Sequence, residues 1–192
     1  MAVLEARSHN EAMAYVVLRA CRACGEQIRE IEDELAEHGD AVLTEYTTTC
    51  QRCGNTDTYR FRLPRQDPGS SGTELRYGGA EPSKIVDAGE WLAFADRVAT
   101  GGPVSPAGLS PTECAQAASA MAAAAAAVAE VVKFIPPGED RVPLTAIWTA
   151  RGRSEFAREP GRMRRARMEV LEAAYRRSAA ELAAAGGAAG RG

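Results

Sequence analysis

Histidine, lysine and aromatic residues are scarce in this chain of 192 residues. There are two histidines (His9 and His38) and two lysines (Lys84 and Lys133), and aromatics make up 6%. With so few imidazoles, histidine-based acid–base catalysis has few candidates. No His-Glu-x-x-His, no glycine-rich phosphate loop ending in lysine and no Gly-x-Ser-x-Gly occurs, so the common signatures of metalloproteases, P-loop proteins and serine hydrolases are absent. A carboxylate pair such as Asp87/Glu90 is better explained by helix capping. These absences argue against an enzyme.

Long apolar runs are missing too. Residues 1–20 hold no cationic segment followed by a long apolar run, so no secretory signal is expected. The alanine-rich stretch 117–129 is the one transmembrane suspect. It is too short and too weakly hydrophobic, with Glu113 and Glu130 on either side. A cytoplasmic protein without membrane attachment is expected. An excess of positive charge is also lacking: net charge is −3 and the pI is near 5.6, so the whole chain is not an electrostatic nucleic-acid binder. The charge is unevenly placed. Residues 1–100 carry 11 basic and 17 acidic side chains, a balance of −6, whereas residues 141–177 carry 10 arginines and 4 glutamates, a balance of +6. Abundant alanine, with arginine in place of lysine, points to a GC-rich bacterial coding bias.

What the chain does have is sulfur in a pattern. Two Cys-x-x-Cys-Gly turns occur, Cys21-Arg-Ala-Cys24-Gly25 and Cys50-Gln-Arg-Cys53-Gly54. Two thiolates separated by two residues can grip one edge of a metal tetrahedron, and a second pair supplies the other edge. The glycine allows the tight turn, because a residue without Cβ can take positive φ. Four thiolates, Cys21, Cys24, Cys50 and Cys53, therefore point to a closed structural Zn2+ site. A reducing compartment favours metal over disulfides. Two redox pairs, two disulfides or unliganded thiols are the alternatives.

The paired knuckles resemble those of zinc ribbons, and also the iron site of rubredoxins, over residues 15–63. The resemblance implies a small β module folded around one ion. Glu26 and Asn55 follow the glycines and no proline sits inside either knuckle, unlike a rubredoxin, which ranks iron below zinc.

Along the chain, residues 1–12 read as a loose tail, with His9 solvated or a spare ligand. Residues 15–19 read as a strand entering the first knuckle. Residues 26–37 are ambiguous, because Ile28, Ile31 and Leu35 fall at helical spacing while a ribbon wants a strand there. A turn at His38-Gly39-Asp40 leads into a Thr/Val/Tyr-rich strand over Ala41–Thr49. Residues 58–63 alternate, with Tyr59, Phe61 and Leu63 on one face and Arg60 and Arg62 on the other. Residues 65–72 are a linker by composition, and residues 73–77 form one more short strand.

Further on, Asp87-Ala-Gly-Glu90 is a capping box opening a helix that stops at Gly101-Gly102-Pro103. Ser110-Pro-Thr-Glu113 opens a second helix running to about Phe134. Cys114, Ala118, Met121, Ala125, Val128 and Val132 form a small-residue seam on it, with Cys114 a buried apolar residue. Residues 142–157 are helical after Pro143, anchored by Ile147, Trp148 and Phe156, with Gly152 as an interruption. A last helix follows Glu159-Pro160, with Met163, Ala166, Val170, Ala174 and Leu182 as its apolar stripe, widened by Leu171 and Tyr175.

The expected architecture is α+β: a zinc-ribbon-like β module (1–64), a linker with a short strand (65–86), a helical domain of three to four helices (87–185) and a flexible tail (186–192). The expected function is a non-catalytic zinc-binding interaction protein with a protein partner. The alternative is a nucleic-acid-binding regulator using Arg52, Arg60 and Arg62 on the ribbon and Arg164, Arg165 and Arg167 on the last helix. A third reading is an enzyme with a site in the helical domain near Asp96, Trp91 and Trp148.

Overall fold

The computed structural model describes residues 3–27, 30–38, 41–65, 75–103 and 105–189. The fold is α+β. Contacts divide the chain into two compact units, Met1–Val86 and Asp87–Gly192.

The first unit is built on a mixed sheet of β1 (Val3–Glu5), β2 (Glu30–His38), β3 (Ala41–Thr49) and β4 (Thr56–Leu63), with α1 (His9–Val17) between β1 and the first knuckle. The strand order is β1-β4-β3-β2, with β1 parallel to β4 and the other pairs antiparallel. The alternation read in β4 is present: Tyr59, Phe61 and Leu63 are buried and Arg60 and Arg62 exposed. In register with them, Tyr46 faces Tyr59 and Thr44 faces Phe61. These side chains form a core with Ala12 and Val16 of α1, and Leu4 and Ile31 pack against it.

Two expectations for this unit fail. Residues 3–12 are no tail, since they supply β1 and the start of α1. Residues 15–19 are no strand, since they finish that helix. The deciding groups are Ser8 and Glu11. The Ser8 hydroxyl accepts from the Glu11 amide (3.0 Å) and donates to the Tyr77 carbonyl (2.7 Å). Buried Glu11 holds the Arg7 guanidinium at 2.7 Å. A window of five apolar-leaning residues is too short to reveal a 3.6-residue period.

The ambiguous segment resolves as β2. Each of its residues from Glu30 to His38 pairs with one on β3, and sheet pairing overrides the helical spacing of its apolar residues. Ile28, Gly39, Asp40, most of the linker and Thr73 lie outside the described residues. Residues 75–77 are described and form no strand. There, Tyr77 is buried and its carbonyl is spent on Ser8.

The described residues of the second unit form four α-helices: α2 (Ala88–Thr100), α3 (Pro111–Val132), α4 (Ala150–Arg158) and α5 (Arg165–Ala189). Both predicted capping boxes, Asp87/Glu90 and Ser110/Glu113, are formed. α3 packs against α2 and α5, and α2 also packs against α4. Cys114, Ala118, Met121, Ala125 and Val128 are buried on the predicted seam; Val131, not Val132, completes it. By length and composition alone α3 could cross a membrane, but half of its most apolar window is buried inside the protein.

The stripe on α5 is displaced in phase. Val170 is 68% exposed, whereas Met168 and Leu182 are fully buried and Tyr175 packs on the same cluster. Alanines on several faces leave the periodicity degenerate, so the large residues at 168, 175 and 182 decide it. The helix also continues through Gly186, where a frayed tail was expected. A Cβ at Gly186 would lie 3.1 Å from the Pro111 carbonyl and 3.2 Å from the Cys114 Cβ, so glycine permits the close approach of α5 to α3.

Residues 142–157 divide into a 3-10 turn (Leu144–Ala146) and α4. Gly152 does not interrupt α4. It lies in its first turn, where Gly89 of α2 crosses so closely that a Cβ on Gly89 would meet the Gly152 Cα at 2.5 Å. Trp148 is a poorer anchor than expected: it is 41% exposed, with its ring 6.1 Å from that of Phe134.

Candidate metal centre

The two knuckles are copies of one turn, 29 positions apart. In the first, the Cys21 amide donates to the Glu26 carbonyl (2.8 Å) and the Gly25 amide to the Cys21 carbonyl (2.9 Å). In the second, the Cys50 amide donates to the Asn55 carbonyl (2.9 Å) and the Gly54 amide to the Cys50 carbonyl (2.8 Å). Gly25 and Gly54 sit at φ 75° and 71°. The left-handed conformation is what lets the chain reverse there. Each knuckle is clamped at its base, by the Ala20–Gln27 bridge in one case and the Thr49–Thr56 pair of β3 and β4 in the other.

This scaffold brings all four predicted ligands together. The Cys21 and Cys53 sulfurs are 3.6 Å apart, as are those of Cys24 and Cys50, and all four lie within 4.8 Å of one another. These gaps are too long for S–S bonds, and all four thiols are free. A tetrahedron with metal–sulfur bonds of about 2.3 Å has edges of roughly 3.8 Å, so the donor set fits one ion. Cys21 and Cys50 are buried against Ile31, and Cys53 is exposed.

Backbone amides are aimed at the sulfurs. The Cys24 sulfur accepts from the Glu26 N–H and the Cys53 sulfur from the Asn55 N–H, again at equivalent positions. The Cys50 sulfur accepts from the Cys53 and Arg52 amides, chiefly the former, which lowers its pKa to about 7. The Cys53 and Cys24 thiols resist ionisation. For Cys53, the Asn55 amide pulls the pKa down, but the Cys24 and Cys21 sulfurs and burial outweigh it and push the value up to about 12. For Cys24 the Glu26 amide is likewise outweighed, by burial and neighbouring sulfurs, and the pKa rises. Packed sulfurs can lose one proton easily and further protons only at high cost, unless a cation shares the charge. That is the chemistry of a metal-ion cradle.

The remaining predicted residues scatter. His9 is half-buried: it opens α1 and its Nδ1 lies 3.0 Å from the Tyr46 hydroxyl. Cys114 is buried in α3 of the second unit. Arg52 pairs with Glu26 across the knuckles (3.7 Å). Arg60 pairs with Glu45 on the open face of the sheet, which Arg62 shares, while Tyr46, Tyr59 and Phe61 are buried on the other face. Arg164 pairs with Asp140 (3.4 Å), Arg167 with Glu159 (2.6 Å), and Arg165 donates to the Ile135 carbonyl (3.2 Å). Asp96 lines a cleft between α2 and α4, and neither Trp91 nor Trp148 does.

Two neighbours of the centre escaped the sequence reading. Ile31 forms its apolar floor, a role hidden by its apparent helical spacing. Arg22 lies over the Tyr59 ring (5.5 Å) and pairs with Asp57 (3.6 Å); its place inside the first knuckle was the available signal. Comparison with protein-family models, curated proteins and solved structures finds no match to this chain.

Proposed function

We propose that this protein is a non-catalytic interaction protein whose first unit is held together by a structural Zn2+ at Cys21, Cys24, Cys50 and Cys53. One observation carries the reading: four sulfurs close on a single point, with tetrahedral spacing. A four-thiolate set leaves no position for water or substrate, so the ion would act through folding, and the thiolates select zinc over harder cations. A reducing, cytoplasmic setting suits four unpaired thiols.

The partner in this reading is a protein. Leu144 (67% exposed) and Trp148 present apolar surface beside buried Ile147 and Phe134, the kind of anchor that protein interfaces use. Nucleic acid draws less support, because binding it would compete with the ion pairs that occupy Arg60, Arg164 and Arg167.

Elemental analysis of protein purified under reducing conditions tests the metal. The expected result is one zinc per chain and a colourless solution. Iron with a red colour would transfer the site to the rubredoxin type, and absence of stoichiometric metal would end the proposal. The interaction role is tested by capture of a protein partner from the native host, which should fail with Leu144→Asp/Trp148→Ala.

A further inference from the structure

We propose that the cleft between α2 and α4 binds a small soluble molecule through a phosphate group. The cleft has a volume of about 490 Å³, within the range of roughly 300–1,000 Å³ typical of small-molecule sites. Its walls carry Arg97 and Thr100 from α2 and Arg151, Ser154 and Arg158 from α4. The spacing of 151, 154 and 158 places those three on one face of the helix.

The charges inside the cleft are not balanced. Its two carboxylates, Asp96 and Glu155, are already engaged. Arg162 forks onto both oxygens of Asp96 and reaches Glu155 at 3.5 Å, and Arg158 reaches Glu155 at 3.4 Å. Three guanidinium groups (97, 151 and 158) therefore share the lining with two carboxylates, and Arg162, which is not part of the lining, is spent on those carboxylates. Arg151 is half-buried and makes no hydrogen bond or ion pair with any other described residue. Its nitrogens remain reachable from solvent, and so by an anion that enters the cleft. Its planar fork matches two phosphate oxygens, and the Ser154 hydroxyl on the same face offers a further donor.

Ala93 is the one apolar residue of the lining, so charge provides most of the attraction, and a dianionic group satisfies the excess better than a carboxylate. The volume suits one small molecule and not a polymer backbone. Neither knuckle contributes to this cleft, so the inference stands apart from the metal centre.

The test is calorimetric titration of the full, metal-replete chain with inorganic phosphate and with pyrophosphate at low salt. Saturable one-to-one binding that weakens as salt is added is the expected result. Arg151→Ala should reduce affinity about tenfold or more, and Ser154→Asp, which keeps every arginine, should abolish binding. Arg177→Ala on α5 should leave it unchanged. Thermal melting confirms that each variant is folded; if Arg151→Ala is not, Ser154→Asp decides. Absence of saturable binding, binding unaffected by Ser154→Asp, or equal loss in Arg177→Ala would overturn the proposal. Sedimentation with vesicles of phosphatidylcholine and phosphatidic acid in equal parts separates the ligand sources. No co-sedimentation is expected; co-sedimentation that Ser154→Asp removes would assign the cleft to a lipid headgroup and overturn the soluble ligand.

Discussion

At the scale of single residues, the cysteines and glycines of the knuckles make the sharpest claims. Cys24→Ser or Cys53→Ser should lower bound metal from one ion per chain towards none, because a three-sulfur remnant cannot close the tetrahedron; full retention in either variant would contradict the ligand set. Gly54→Ala asks a Cβ to tolerate φ 71°, which costs on the order of 1–2 kcal/mol, although the space around it is open. A matching loss in denaturant midpoint is expected. Glu113 offers a pH signature. The Ser110 hydroxyl and amide donate to its carboxylate and hold its pKa below the ordinary 4.5. A depressed pKa stabilises the folded state above the unfolded value, and that contribution is lost as pH falls through the folded one. Glu113→Gln should therefore be less stable than the parent at neutral pH and indistinguishable from it in strong acid. An unchanged gap across that range would refute the linkage. These sites were legible in the sequence because their chemistry is local: the residues that make a knuckle or a capping box lie within five positions of one another.

Elements were legible only where their partners did not have to be known. β3 announced itself by its Thr/Val/Tyr composition, β4 by alternation, and α2 and α3 by their caps. α1 did not, although its cap, Ser8 accepting from the Glu11 amide, is just as local; nine residues are too few to show a helical period. β2 carries acidic residues that no strand prefers, and only its pairing with β3 makes it one. The phase of α5 hung on three large side chains among many alanines. The crossing of α2 and α4 was equally invisible, and it is a stringent feature. The Asp87 carboxylate accepts from the Glu90 amide (2.8 Å) at the start of α2 and from the Thr149 amide (2.6 Å) at the start of α4. One buried group thus serves two helix N-termini. Asp87→Ala should cost roughly 2–4 kcal/mol, about twice a single cap, read from chemical denaturation; a loss within that of an ordinary surface substitution would show that Thr149 has another acceptor. Gly89→Ala should be destabilising too, since it forces the two backbones apart.

For the whole molecule, the division into two units has a measurable result. The aromatic core around Tyr46 and Phe61 and the alanine-lined core around Met121 and Leu182 belong to separate clusters. Removing metal with a strong chelator should disorder the knuckles and the sheet they clamp, while the helical circular dichroism of α2–α5 persists. Simultaneous loss of both signals would show that the units share one transition. The split itself follows from composition: the first 86 residues hold the knuckles and strands, and the rest is rich in alanine and arginine. The arginine-lined cleft was not legible, because its walls come from helices about 55 positions apart.

The repeated turn has a kinetic corollary. An ion seated between two equivalent tongs does not depart in one motion: it must slip from one pair while the other still holds it. The freed pair stays tethered a few ångströms away, at very high effective concentration, so re-gripping outruns escape. Exchange with bulk metal should then be far slower than either pair alone would allow. An invading dithiol should strip the ion faster than a carboxylate chelator of equal strength, since it can occupy the vacated edge before the tongs close again.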